Sequence, residues 1–235
     1  MAICIVTGVA GFIGSHLAET LLAERHNVVG VDSLTANYAR SIKLDNLTVL
    51  LRHPKFRFIE TRIEHLRRDD IPWDDAYVFH LAGQPGVRDS WGAGFQDFAQ
   101  NNVIATQCLL DLLRINRPQR LILASSSSVY GSANADRLMQ ESDETTPLSP
   151  YGVTKLAAEQ LCLVYAHEYS INTSILRFFS VFGPRQRPDM FAHRLLAAAA
   201  EQRPINIFGS LVQRRDFTYV SDIVNACTAS IDMIH

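Results

Sequence analysis

Three glycines at positions 8, 11 and 14 constrain this chain more than any other feature. They stand in the run Thr7-Gly8-Val9-Ala10-Gly11-Phe12-Ile13-Gly14. An apolar run at 2–6 precedes them, and a stretch with helical periodicity at 14–25 follows. The first glycine permits a tight turn, and the second lets backbone N–H groups approach a pyrophosphate. The third lets the helix pack close to the strand. The helix N-terminus adds partial positive charge, so Gly8, Gly11, Phe12, Ile13 and Gly14 form a candidate dinucleotide cradle. A second apolar run, 27–31, leads into Asp32. A carboxylate there accepts hydrogen bonds from ribose hydroxyls and repels a 2′-phosphate, which favours NAD over NADP.

The alternation continues along the chain. Residues 56–59, 76–81, 120–124 and 174–177 read as strands, and 95–115 and 151–169 read as helices. Strands alternating with crossover helices predict a Rossmann-type α/β fold, a doubly wound parallel sheet covered on both faces. The near-continuous apolar run Leu121-Ile122-Leu123-Ala124 suits a strand buried on both sides. After Gly183-Pro184 the texture changes, with a helix at 190–202, then Ile205–Gly209, Phe217–Val220 and a last helix from Ser221. The expected division is a cofactor domain at 1–180 and a small second lobe at 181–235.

Composition narrows the function. The net charge of −2 provides no basic field for nucleic acid or anionic lipid. No apolar run reaches the ~18 residues of a membrane span. The four cysteines lack paired spacing, as in a reduced cytoplasmic protein, and no metal-ligand spacing is present. The reading therefore expects no metal, no nucleic acid and no membrane.

Tyr151 and Lys155 lie four residues apart just after Pro150, where a helix should begin. At that spacing they share a helix face. A nearby ammonium lowers a phenol's pKa, and the phenolate becomes a usable general base for a sugar hydroxyl. The run Ser125–Ser128 sits at the carboxyl end of a predicted strand, where open α/β sheets bind ligands.

Together these segments resemble the extended short-chain dehydrogenase/reductase family of nucleotide-sugar epimerases and dehydratases. The carrying motifs are TGxxGFIGSHL at 7–17, His80-Leu81-Ala82-Gly83-Gln84, Asn102–Thr106, Ser125–Gly131, Tyr151–Lys155 and Arg215–Asp222. Gly83 stands where Ala is usual, and Ala105 where Gly is usual. The resemblance implies Ser126 as catalytic hydroxyl, Tyr151 as base and Lys155 as its tuning lysine. Leu81, Ala82, Asn102 and Phe178 would line the cofactor, and Tyr151 and Lys155 would contact it as well. The family's adenine-contacting Asp has no clear counterpart, since Arg62 lies near that place. The resemblance also implies a homodimer paired through the two long helices. Related proteins continue beyond this length, so the second lobe is expected to be incomplete.

Ser127 and Ser128 replace the acids that family dehydratases and decarboxylases carry, which leaves epimerisation. The implied reaction oxidises the sugar transiently at C4 and returns hydride to the other face. The segment Arg187-Pro188-Asp189-Met190 is similar to that of UDP-glucuronate 4-epimerases. A guanidinium can hold a C6 carboxylate bidentately, which suits Arg187. Ser127, Ser128 and Ser180 could share the carboxylate, Arg88 could border the sugar, Arg215 the diphosphate and Phe208 the pyrimidine. The expected reaction is UDP-glucuronate to UDP-galacturonate. The rivals are a UDP-glucose 4-epimerase or other nucleotide-sugar epimerase/dehydratase, a dehydrogenase releasing NADH, and a non-catalytic NAD-binding protein.

Overall fold

The alternating pattern resolves into a six-stranded parallel sheet in the computed structural model, which describes residues 1–132, 137–207 and 215–231. Its strands are β1 (Ile3–Thr7), β2 (Asn27–Asp32), β3 (Phe56–Glu60), β4 (Tyr77–His80), β5 (Arg120–Ser126) and β6 (Thr173–Phe178). They run in the order β3-β2-β1-β4-β5-β6. Chain direction across the sheet reverses between β1 and β4, and ligands of such sheets bind outside the carboxyl ends at that point. The register sets Thr7 beside Val31 and His80, and Ser126 beside Phe178. The glycine loop, Asp32 and the serine run therefore emerge at one end of the sheet.

The flanking helices are α1 (Phe12–Ala23), α2 (Arg40–Leu47), α3 (Phe95–Phe98), α4 (Ala105–Ile115) and α5 (Pro150–Tyr169). Alternate strand residues point to opposite faces. Val6, Phe79 and Ile122 accordingly join one core with Leu17 and Leu21 of α1. Ile5, Val78, Leu121 and Leu123 join the other with Leu109 of α4 and Cys162 of α5.

Beyond β6 come β7 (Ser180–Phe182), α6 (Phe191–Ala200), β8 (Phe217–Tyr219) and α7 (Val220–Ala229). β7 and β8 pair in parallel as a separate sheet. α7 turns back, and its Val220, Ile223, Val224 and Cys227 share the core of α1.

The helix expected over 95–115 is interrupted. Between α3 and α4 the chain makes a π-helical step at Ala99–Ile104. The Thr106 hydroxyl donates to the Asn102 carbonyl at 2.6 Å within this region. α2 and β7 escape the periodicity, α2 because most of it is polar and β7 because it has three residues. Among the described residues no helix is long and apolar enough to cross a membrane.

Candidate active site

The glycine loop is a tight backbone cradle. Gly8 has a φ of +72°, and a Cβ there would come within 2.8 Å of the Ala82 nitrogen. A Cβ at Gly14 would collide with the Gly8 carbonyl. Only glycine lets α1 begin this close to β1 and β4. Gly11 precedes α1 with no side-chain cap, so the first N–H groups of the helix are left for a ligand. Asp32 at the end of β2 accepts from Ala10 N–H at 3.0 Å and Leu34 N–H at 2.8 Å. Burial pushes its carboxyl above the ordinary carboxylate value, opposed by those N–H groups and the charge of Lys43. A glycine cradle, an uncapped helix start and an oriented carboxylate fit a dinucleotide.

Tyr151 is placed by the start of α5. The Ser149 hydroxyl caps the helix by accepting from Gly152 N–H at 3.1 Å, and Pro150 occupies the first turn. A Cβ at Gly152 would approach the Ser128 carbonyl to 2.6 Å. Glycine there lets α5 press against the turn Ser127–Val129 that follows β5. The Tyr151 hydroxyl thereby comes near the Ser126 side chain, which acts to lower the phenol's pKa. Phe98 of α3 meets the tyrosine ring edge-on at 6.1 Å between centroids.

Sequence reasoning expects Lys155 to pull the phenol down, and the structure differs. Burial dominates and pushes the Tyr151 phenol above its ordinary value, opposed by the neighbouring Ser126 side chain and then by the charge of Arg187. Lys155 is itself buried, which pushes its ammonium down to about 8, while Cys162 and Glu159 act in the opposite sense. Loss of water dominates at both groups.

Asn102 fastens the back of the site. Its side chain accepts from Gln84 N–H at 2.7 Å and donates to the Gln84 carbonyl at 3.0 Å and to Thr154 Oγ1 at 2.9 Å. The π-helical step turns it toward both partners. An alanine at Gly83 would bring its Cβ within 2.9 Å of Asn102 Oδ1.

One cleft takes in Gly8, Gly11, Phe12, Ile13, Gly14, Asp32, Leu81, Ala82, Asn102, Ser126, Tyr151, Lys155, Phe178 and Arg187. Every residue expected to contact the cofactor or carry the chemistry is therefore brought together. Of the expected sugar contacts, Arg187 lines the cleft. Ser127 and Ser128 lie half-buried in the turn after β5, and Ser180 begins β7. These three do not line the cleft, nor do Arg88 and Arg215, which are exposed. Phe208 lies outside the described residues. Arg187 forks onto Asp189 with N–O distances of 2.9 and 2.7 Å.

Sequence reasoning missed Tyr38 and Lys43, which also line the cleft. The Lys43 ammonium donates to the Thr35 carbonyl at 2.8 Å and lies 4.7 Å from the Tyr38 ring centroid. A lysine so deeply buried beside Asp32 leaves no periodic signal in the sequence. Arg62 lines the far end, paired with Glu64 at 2.9 Å and donating to Asn101 Oδ1 at 3.2 Å.

Comparison with known proteins agrees with this geometry. Residues 4–234 match the NAD dependent epimerase/dehydratase family. The chain is 46% identical over 232 residues to the uncharacterized UDP-glucose epimerase YtcB of Bacillus subtilis (strain 168), covering 98% of the chain and 73% of the relative. It is 38% identical over 234 residues to a UDP-glucuronate 4-epimerase of Thermodesulfobacterium geofontis (strain OPF15), covering 98% and 72%. The crystal structure of UDP-glucuronic acid 4-epimerase from Bacillus cereus, with UDP-glucuronic acid and NAD, superposes with a TM-score of 0.93 at 42% identity. That match covers 100% of this chain and 74% of the other.

Proposed function

The chain belongs to the NAD-dependent epimerase/dehydratase family, and from that premise we propose how its residues act on UDP-glucuronate. The activity is NAD-dependent epimerisation of the sugar at C4, an isomerase reaction. When bound, the cofactor supplies a hydride acceptor and donor and a positive charge beside the phenol. Gly8, Gly11 and Gly14 with the start of α1 hold its pyrophosphate, and Asp32 its ribose.

The protein's own task is a proton at the C4 oxygen. Tyr151, as phenolate, takes the proton from the C4 hydroxyl and later returns it to the 4-keto sugar oxygen. Ser126 hydrogen-bonds that same oxygen and holds it against Tyr151. Lys155, one helical turn on, favours the phenolate. Asn102 keeps α5 and the loop at Gln84 in register around the site.

Arg187 carries the substrate reading. Its guanidinium lines the cleft that holds Ser126 and Tyr151, and its charge is felt at the Tyr151 phenol. A planar cation so placed suits a C6 carboxylate. Ser127, Ser128, Ser180, Arg88 and Arg215 stand outside the lining of this cleft, so the carboxylate reading rests on Arg187; Phe208 is proposed for the pyrimidine. The test is Arg187→Ala with UDP-glucuronate and UDP-glucose. Selective loss with the uronate supports the assignment, and parallel losses remove it. The pairing of Arg187 with Asp189 is the observation that favours a second reading, a neutral hexose as substrate.

Residues 1–180 are read as the cofactor unit and 181–235 as part of the sugar-nucleotide unit, with α7 fastening the second to the first. The exposed apolar side chains Ile115, Val153, Leu163 and Val164 on α4 and α5 support a homodimer paired through these helices. The four free cysteines suit a cytoplasmic protein.

A further inference from the structure

The loop that carries Arg187 is fastened to α1, the helix that opens at the glycine triad. Arg185 donates from Nη2 to Glu19 Oε1 at 2.7 Å and from Nη1 to Ser15 Oγ at 3.2 Å. The His16 imidazole meets the Pro184 carbonyl at 3.0 Å. Arg185 and Glu19 expose 27% and 29% of their side chains, so the pair is partly shielded from water. Arg185 also has a φ of +63°, a conformation that a non-glycine residue holds only when its surroundings fix it.

Both ends of the loop are tied as well. A Cβ at Gly183 would come within 2.7 Å of Val220 Cγ1, so the turn sits directly on α7. Gln186 is buried, donates to the Val181 carbonyl at 2.9 Å and accepts from His193 N–H at 2.9 Å. Arg187 follows immediately, and its charge reaches Tyr151, Tyr38 and Lys43.

We infer that Arg185 is a positioning residue for sugar recognition: its pairing with Glu19 and Ser15 of α1 latches the loop so that Arg187 faces the cleft. This rests on the reading of Arg187 as the carboxylate-binding group. The latch joins the helix that receives the cofactor's phosphates to the loop that selects the sugar. Arg185 touches neither ligand, and its effect is on where Arg187 stands.

The test uses NAD-loaded protein carrying Arg185→Glu, Glu19→Arg or both. Calorimetry measures UDP-glucuronate and UDP-glucose binding, and hydrogen exchange follows residues 183–190. Each single variant should weaken UDP-glucuronate about tenfold, the size of one charge-assisted contact, with UDP-glucose little changed. Exchange in 183–190 should rise in the single variants, and the charge-swapped pair should restore both readouts. Single variants that keep the wild-type preference, where Arg187→Ala abolishes it, overturn the latch. If Arg187→Ala leaves the preference intact, the carboxylate reading fails separately. Hydrogen exchange then decides the latch alone, and unchanged protection in the single variants overturns it.

Discussion

The Tyr151 hydroxyl, in the first turn of α5, stands against the Ser126 side chain at the last residue of β5. Two hydroxyls from separate elements thus converge where a reacting sugar oxygen can join both. Gly152 makes the approach possible, because any side chain there would strike the Ser128 carbonyl.

Tyr151→Phe removes the proton acceptor and keeps the ring against Phe98. Turnover should fall by about a hundredfold or more, the usual share of general base catalysis. NAD content of the purified variant should equal that of wild type, because the glycine cradle is untouched. Loss of turnover accompanied by loss of NAD would assign Tyr151 a structural role.

Lys155 sets a pH dependence of stability. Its folded pKa of about 8 lies below the ordinary 10.5, so the unfolded chain binds more protons between these values. Stability should therefore rise with pH across that window, and below it the full cost of burying the charge applies. Relative to Lys155→Met, wild type should gain about 3 kcal/mol from pH 7 to above pH 10. Urea unfolding of both proteins at the two pH values checks it.

Asp32→Ala should weaken NAD binding about tenfold and relax discrimination against NADP, since the carboxylate both accepts ribose hydroxyls and repels a 2′-phosphate. Calorimetry with both dinucleotides measures the ratio. A preference for NAD left at its wild-type value would move specificity to another residue.

Glu159 is 2% exposed, pairs with Arg177 at 2.8 Å and accepts from the Ser125 hydroxyl. Arg177 in turn holds the Glu141 carbonyl at 3.2 Å and lies over the Tyr130 ring. Glu159→Ala strands a shielded guanidinium and should cost about 3–5 kcal/mol of stability. Chemical unfolding measures it, and replacing Arg177 as well should recover part of the loss.

Features with local spacing are legible in the sequence. The glycine triad, Asp32 and the Tyr151–Lys155 pair each follow from a short run whose geometry the backbone imposes. Ser126 is legible as a strand end. The π-helical step around Asn102 is not, because one widened turn leaves the apolar positions of 95–115 nearly in phase. The Arg185–Glu19 pair joins residues 166 apart, a separation that no local pattern encodes. The upward push on the Tyr151 phenol is not legible either, since burial comes from the whole fold and not from the neighbour four residues away.

The central claim is epimerisation at C4 of UDP-glucuronate, and proton NMR of the reaction mixture tests it most directly. Purified protein incubated with UDP-glucuronate and catalytic NAD should produce UDP-galacturonate to a fixed equilibrium ratio, with no accumulation of NADH. Unchanged UDP-glucuronate, or NADH formed in step with a keto product, would contradict the account.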